Sequence, residues 1–272
     1  MIEKSFCMFF NSSIQSGASN KSTNGSRFDV DLTSPIIFPS DAKYITLSVI
    51  QANVWNNAFN ISEERGNNQW SFNYDDGTST TNYQSTIPDG LYTINALQDF
   101  IVLSLLNATP APGTPFNGDE IQIIGDTSTN KVIIFVKADF QVDFTIANSV
   151  RTILGFNSQL IPDPIVPTDT FETSENIASF NFVDTYQIRS TLVNNGIPTN
   201  QSGFGIITTI PISAPPNSLI VYQPQNPLEV DISYLAGNKK TVIQFELLNQ
   251  DFESVSTNGE DYSLVIKFKY VV

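Results

Sequence analysis

Histidine is absent from all 272 residues, and cysteine occurs only once. Ser/His/Asp catalysis, Cys/His catalysis and zinc sites with histidine ligands all require an imidazole, so the sequence excludes them. A single cysteine, Cys7, also excludes an internal disulfide framework. Because it lies in the apolar run from Phe6 to Phe10, we expect Cys7 to be a buried small hydrophobe rather than a nucleophile.

Charged residues are few, and most of them are acidic. They make up 15% of the chain, with 13 Lys and Arg against 27 Asp and Glu and a formal net charge of -14. An acidic balance of this size repels phosphate, so we expect no direct binding of nucleic acid and no attraction to anionic membranes. Hydrophobic residues reach 40%, which favours neither disorder nor a coiled coil.

Long apolar runs are also missing. No run approaches the roughly 18 residues of a membrane span. The apolar run that follows Met1 to Ser5 is only about six residues long, too short for the hydrophobic region of a signal peptide. We therefore expect no membrane span, and synthesis and folding in the cytosol.

The chain does contain many short strand patterns separated by turn residues. Residues 43–55 are apolar on both faces and predict a central strand. Residues 69–74 and 78–87 flank Asp75-Asp76-Gly77 and predict a hairpin, and residues 120–124 and 131–136 predict a second one. The stretch 11–26 predicts a long loop, and 161–167 a linker. Further strands are predicted at 5–10, 27–32, 141–146, 177–183, 186–192, 206–212, 218–222, 230–234, 241–248 and 262–271.

Two helices complete the prediction. The longer runs from Asn95 to Asn107, with Asn95 as its cap and Gln98 completing a capping box. Apolar residues occur around much of its surface, so we expect it to be covered on more than one side and to lie across the open end of a sheet. The shorter is a turn at 149–154, capped by Asn148 and ended by Gly155. These elements predict an all-β fold, a single jelly-roll sandwich in one domain spanning 1–272.

Three sets of residues suggest chemistry, and each has a simpler structural interpretation. Asp75-Asp76-Gly77 and Gly125-Asp126-Thr127 offer oxygens to calcium, but they lack the spacing of an EF-hand loop and are typical of β-turns. Gly203-Phe204-Gly205 lacks the context of a nucleotide-binding loop, which favours a flexible loop. A glycoside hydrolase needs two neighbouring carboxylates, and the loops supply Glu63, Glu64, Asp251, Glu253, Glu260 and Asp261. The sequence alone does not show whether any two of these acids are close.

Aromatic residues could form a platform on which sugars stack. Their alternation within strands favours packing in a core instead. The residues concerned are Trp55, Phe59, Trp70, Phe72, Tyr74, Tyr83 and Tyr92.

The order of several short motifs resembles the penton (minor capsid) proteins of virophages and Polinton-like viruses. An aromatic first strand ends in Asn-Ser-Ser at residue 13, and a Phe-x-Val-x-Leu strand follows at 28–32. A connection bearing prolines at 34–39 leads to a strand that runs into Trp-Asn-Asn at 55–57. Pro-Asp-Gly-Leu-Tyr at 88–92 then precedes the long helix, and Leu-Gly-Phe stands at 154–156.

This resemblance covers residues 4–156 well and the remainder loosely. Gln51-Ala52-Asn53 departs from it, since the family has a proline before the aromatic residue. A stretch near residues 157–193 matches nothing in the pattern and is interpreted as an insertion.

The resemblance implies a non-enzymatic structural protein of the virion. Its copies would form homopentamers at the fivefold vertices of an icosahedral capsid, next to a double jelly-roll major capsid protein, after synthesis and assembly in the host cytoplasm. It implies no catalytic residues, no cofactor and no metal. An alternative is a carbohydrate- or receptor-binding jelly roll, similar to a fibre head.

Overall fold

A computed structural model describes residues 2–110, 115–181, 183–193 and 205–272. The chain forms two compact units: unit 1 comprises Met1–Ala58 and Val183–Val272, and unit 2 comprises Phe59–Phe182. The stretch predicted as a linker, 161–167, lies inside unit 2. One domain with an insertion near 157–193 stays a prediction. Gly203-Phe204, part of the predicted flexible loop, lies outside the described residues.

The secondary structure of the described residues is dominated by strands. Two helices are present, α1 (Ile94–Asn107) and α2 (Arg151–Leu154), with two short 3-10 turns at Ile14–Ser16 and Ser233–Leu235. Among the described residues, none of the helices is long and apolar enough to cross a membrane. In chain order the strands are β1 (Glu3–Asn11), β2 (Ala18–Lys21), β3 (Arg27–Ile37), β4 (Tyr44–Trp55), β5 (Gln69–Asp75), β6 (Thr80–Thr86), β7 (Ile121–Asp126), β8 (Lys131–Val136), β9 (Phe140–Asp143), β10 (Leu160–Ile161), β11 (Thr170–Thr173), β12 (Thr185–Ser190), β13 (Ile206–Pro211), β14 (Leu219–Tyr222), β15 (Val230–Asp231), β16 (Lys239–Leu248) and β17 (Ser263–Val271).

Unit 1 consists of two antiparallel sheets. The first has the order β1-β17-β4-β14, with the short β15 also paired to β4, and the second has the order β13-β12-β16-β3-β2. Taking β14 with β15 and setting the short β2 aside, each sheet has four strands in the interleaved order of a jelly roll. The predicted all-β jelly-roll fold is confirmed. The predicted central position of β4 is also confirmed, because it pairs with β17 on one side and with β14 and β15 on the other.

The core of unit 1 follows from the alternation of β17. Leu264, Ile266 and Phe268 are fully buried, as the predicted pattern of this strand requires. Phe268 stacks on Phe6 of β1 with ring centroids 5.1 Å apart, and it also contacts Phe38 at 6.0 Å. Aromatic rings thus fill much of the space that this strand faces.

Two segments of unit 1 differ from the prediction. Strand β3 continues through Pro35 to Ile37, because the pairing with β16 shifts register between Lys240 and Val242, and a proline fits where ladder bonds are interrupted. The stretch 11–26 is not one long loop, since it contains β2, which pairs with β3. The strand was not predicted because its residues are mostly polar, as is common for a strand at the edge of a sheet.

Unit 2 contains the sheets β10-β9-β5-β6 and β11-β8-β7. Both predicted hairpins are confirmed, β5 with β6 and β7 with β8. The strand predicted at 177–183 is wrong in its described part, which is irregular, and Thr170–Thr173 pairs with β8 instead. The unit has its own apolar core, in which Trp70, Phe72 and the inner face of α1 are buried.

Helix α1 differs from the prediction at its start and on its surface. The cap is Thr93, whose hydroxyl accepts a hydrogen bond from the amide of Ala96 at 3.2 Å; Asn95 is inside the helix. Gln98 forms no capping box. Its side chain accepts from the amide of Ile123 at 2.6 Å and donates to the carbonyl of Ile121 at 3.3 Å, which fixes the helix to β7.

The expectation that α1 is covered on more than one side is wrong for two of its leucines. Leu97, Ile101 and Leu105 are fully buried, whereas Leu103 and Leu106 are exposed. They lie outside the buried face of the helix, and the loop residue Gly118, which lies close to Leu106, covers it only in part.

The short helix α2 ends as predicted. Gly155 has φ 83°, and its amide donates to the carbonyl of Arg151. Its start differs, because the capping position is Val150 and no side chain accepts from the first turn. Asn148 is instead in the left-handed region, with φ 58°.

Candidate assembly surface

The first strand of unit 1 forms one edge of its sheet. Among the described residues β1 pairs with β17 alone, through nine residue pairs from Glu3–Val271 to Asn11–Ser263. Every second side chain of β1 points to the outer face of the sheet, and Phe9 on that face is 62% exposed. An edge of this length leaves a row of backbone donors and acceptors without strand partners.

Cys7 lies on the outer face of β1 and is exposed. The expectation that it is buried is therefore wrong. The apolar run suggested a strand packed on both faces, but β1 faces the core with Phe6, Met8 and Phe10 only, as their pairing with the buried Phe268, Ile266 and Leu264 shows. Position at the sheet edge, which the sequence does not reveal, determined the outcome.

A small ion-pair cluster lies on the outer face of the same sheet. The ammonium of Lys269 is 3.4 Å from a carboxylate oxygen of Glu3 and 3.6 Å from one of Glu229. The hydrogen bond to Glu3 and the charge of Glu229 raise the pKa of Lys269. Because all three side chains are substantially exposed, these pairs add little to the stability of the fold. Their main effect is on the distribution of charge over this face.

The opposite edge of the sheet is formed by β14. Its outward side chains are Leu219 and Val221, exposed by 41% and 56%, while Ile220 between them is buried. Among the described residues β14 pairs only with β4. The first sheet of unit 1 therefore has exposed apolar side chains at both of its edges.

The loop acids considered for hydrolysis fall in different units. Glu63 and Glu64 belong to unit 2, and the remaining four to unit 1. Asp261 forms an ion pair with Lys21 at 2.6 Å, and Glu253 accepts from the side chain of Asn249 at 3.0 Å. Each of these two carboxylates thus has a structural partner, Lys21 in β2 for Asp261 and Asn249 in the same loop for Glu253.

The ion pair and the hydroxyl of Ser12 change the pKa of Asp261. Burial raises this pKa, but the hydrogen bonds from Lys21 and Ser12 outweigh burial, and the net pKa is lower than usual. A general acid requires a pKa raised towards neutrality, so Asp261 has the opposite property.

The two acidic turns are hydrogen-bonded turns, as predicted. In the first, Asp76 accepts from the hydroxyl of Thr78 at 2.5 Å and from the amides of Thr78 and Ser79 at 2.8 Å, which lowers its pKa. In the second, hydrogen bonds from Ser128 and Thr129 lower the pKa of Asp126 to about 2. No group of three or more acidic or cysteine side chains that could hold a metal ion occurs in the described part of the chain.

The aromatic residues of the proposed sugar platform are mostly core residues, as predicted. Trp70 and Phe72 are buried, and Tyr74, Tyr83 and Tyr92 pack against the same core. Phe72 stacks on Tyr83 with centroids 5.1 Å apart. Rings held face to face inside unit 2 do not offer the flat surface that sugar stacking needs.

A polar cavity of about 390 Å³ lies over strands β12 and β16 of unit 1. Arg189 and Glu246 line it and form an ion pair between directly opposed residues of the two strands. Glu246 also accepts from the hydroxyl of Ser254 at 2.6 Å. The charges of Arg189 and Glu246 therefore neutralise each other and stabilise the sheet, and Lys240 is the remaining charged side chain in the cavity lining.

Comparison with known proteins supports the expected fold. No protein-family model matches the chain, and no curated protein is similar to it in sequence. The crystal structure of the selenomethionine-labelled mavirus penton protein superposes with a TM-score of 0.50 and 12% identity, covering 99% of this chain and 100% of that one. A cryo-EM structure of the Sputnik virophage matches with a TM-score of 0.45 and 14% identity, covering 99% and 97%. The predicted resemblance to virophage pentons is confirmed at the level of the fold.

Proposed function

We propose that this chain is a structural capsid protein, the penton that closes the fivefold vertices of an icosahedral virus as a homopentamer. One observation carries the proposal: the mavirus penton protein shares this fold over essentially the whole of both chains. A likeness over the full length is informative because it includes both unit 1, with its jelly roll, and unit 2.

The chemistry of the described residues is consistent with a role in assembly. Acidic side chains singled out for catalysis or calcium binding are engaged by neighbouring Lys, Ser and Thr groups, as at Asp76, Asp126 and Asp261. Exposed apolar side chains, by contrast, occur at both edges of the first sheet. A protein that works by contact with other subunits needs such surfaces.

In this role the partners are other copies of the chain and a double jelly-roll major capsid protein. A closed ring requires two different, complementary flanks on each subunit. The protein would reside in the virion, after assembly in the host cytoplasm, and would carry out no catalysis.

The mass of the purified chain in solution, together with electron microscopy of the particles, tests this proposal. Particles with five subunits and fivefold symmetry are expected. Threefold particles would contradict the penton role and would favour the alternative of a fibre-head-like binding protein.

A further inference from the structure

We infer that the two edges of the first sheet of unit 1, β1 and β14, are the two halves of the contact between neighbouring copies of this chain. The inference rests on the proposed homopentamer and assigns the flanks that would join it. The occupant of the β1 edge is thus the β14 edge of a second copy.

The placement of the two edges fits a ring. They lie at opposite ends of one strand order, β1-β17-β4-β14, so the edge that one copy presents to its left differs from the edge that it presents to its right. A contact between unlike flanks is what cyclic assembly with more than two copies requires. Neighbouring strands in this order are antiparallel, so joining β1 of one copy to β14 of the next would extend an antiparallel sheet from copy to copy.

Both flanks of the proposed contact present exposed apolar side chains. On the outer face, β1 offers Phe9, 62% exposed, and β14 offers Val221, 56% exposed, and Leu219, 41% exposed. Both sets occupy the same outer face of the sheet, because Phe9 pairs with Val265 and Val221 with Asn53 on that face. Burying a phenylalanine between two aliphatic side chains is favourable and typical of the centre of a subunit interface.

Charge is complementary as well. Near β1, Lys4 and Lys267 have no acidic partner among the described residues, and Lys267 lies directly beside Cys7. On the other flank, the sequence from Ser190 to Asn238 has no Lys or Arg and includes the acid Asp231, whereas its other acid, Glu229, is already paired with Lys269. Unlike charges on opposing flanks favour this pairing.

The edges of the second sheet are less suited to such a contact. Strand β2 exposes the polar side chains of Ser19 and Asn20, while β13 ends in Pro211, which has no amide hydrogen to donate. Polar or proline-bearing edges are among the usual means of preventing association between sheets. The β1 edge, nine residues long and without proline, lacks this protection.

Replacement of one phenylalanine tests the apolar part of the contact. Phe9→Ser should weaken the pentamer by about 30-fold in dissociation constant, as expected for an aromatic residue at the centre of an interface. Phe171→Ser is the matched control, because Phe171 is 64% exposed but lies in unit 2. Mass photometry over a dilution series measures both. Equal dissociation constants for Phe9→Ser and the wild type would contradict the inference.

Disulfide trapping tests which flanks meet, with Cys7 as a native probe on β1. In Val221→Cys, oxidation should join Cys7 of one copy to position 221 of the next and produce a ladder that ends at five subunits. Val242→Cys is the control: Val242 is 47% exposed, but it lies in β16 of the second sheet. A ladder requires Cys7, so it should disappear in Val221→Cys with Cys7→Ser.

The outcomes separate this inference from the proposed function. Pentamers that form no ladder in Val221→Cys, or that form it equally in Val242→Cys, would overturn the assigned flanks and leave the penton role intact. Wild-type dimers linked through Cys7 would show that like edges meet, which contradicts both. Monomers that yield no ladder at high protein concentration would contradict both as well.

Discussion

The hydroxyl of Tyr262 donates a hydrogen bond to the carbonyl oxygen of Ser26 at 2.8 Å, inside the core of unit 1. The same oxygen accepts from the amide of Leu247 at 2.8 Å. Burial raises the pKa of Tyr262 well above its usual value, so the donor is neutral at any ordinary pH. This contact joins the start of β17 to the start of β3 through a side chain rather than through a ladder.

Loss of that hydroxyl should therefore weaken unit 1. Tyr262→Phe is expected to lower the free energy of unfolding by about 1 kcal/mol, a modest loss because the carbonyl of Ser26 keeps its bond to Leu247. Tyr44→Phe is the control, since Tyr44 is 67% exposed. Native-state hydrogen exchange of the β17 amides measures the difference. No change in their protection would show that the hydroxyl is not part of the fold's stability.

The cap of α1 offers a direct test of the helix start. Thr93→Ala removes the side-chain acceptor for the amide of Ala96 and should cost about 1 kcal/mol. Asn95→Ala should leave the free energy of unfolding unchanged or raise it slightly. Asn95 is a solvent-exposed residue within the helix, and alanine has the higher helix propensity. The tryptophan of unit 2, Trp70, reports its unfolding by fluorescence in a Trp55→Phe background. A larger loss for Asn95→Ala would contradict the observed cap.

Alanine substitutions at two glycines with nearly equal backbone angles distinguish the cost of a left-handed backbone from the cost of a steric clash. Gly77 and Gly155 have φ 82° and 83°, but a Cβ at Gly77 would meet nothing within 4 Å, whereas one at Gly155 would lie 2.3 Å from the carbonyl oxygen of Asn176. Gly77→Ala should cost about 1 to 2 kcal/mol for the left-handed conformation alone. Gly155→Ala should cost clearly more, because backbone must move. Urea midpoints of unit 2 compare them, and equal losses would rule out the clash.

The Lys21–Asp261 pair makes part of the stability depend on pH. The pKa of Asp261 is lowered in the folded chain, so its contribution is present above the unfolded value of 3.8 and is lost as pH falls through the folded value. In Lys21→Gln the folded pKa moves back towards 3.8, and the stability difference from the wild type should therefore shrink towards low pH.

Urea midpoints measured from about pH 6 to about pH 2 test this expectation. Lys43→Gln is a suitable control, because Lys43 is exposed and has no ion pair in the described part of the chain. A difference between Lys21→Gln and the wild type that stays constant across this range would contradict a role for the charge of Asp261.

The sequence predicted elements well wherever local pattern decides the structure. The hairpins, β4, β17 and the stop at Gly155 depend on alternation and turn residues, which are local. Errors occurred where the outcome depends on distant partners. Cys7 was expected to be buried because the pattern of β1 does not reveal that this strand is an edge. Asn95 was predicted as the cap of α1, although Thr93, two positions earlier, is an equally suitable residue type and is the observed cap.

The candidate surface was less accessible to sequence analysis. Exposed apolar residues such as Phe9, Leu219 and Val221 are identified only once the strand order is known. The motif order at 6–13, 28–32 and 88–92 did indicate the fold, since such motifs mark the ends of elements. The alternatives of calcium binding and sugar stacking arose because Asp, Gly and aromatic residues have purely structural uses in the same positions.

Strand β1 pairs with β17, so that Phe6 at one end of the sequence stacks on Phe268 at the other. Unit 2, in contrast, is one continuous stretch, Phe59–Phe182. During synthesis on the ribosome the whole of unit 2 emerges while β1 still lacks its partner. The order of synthesis thus favours early folding of unit 2 and leaves the apolar first strand in need of protection until β17 emerges.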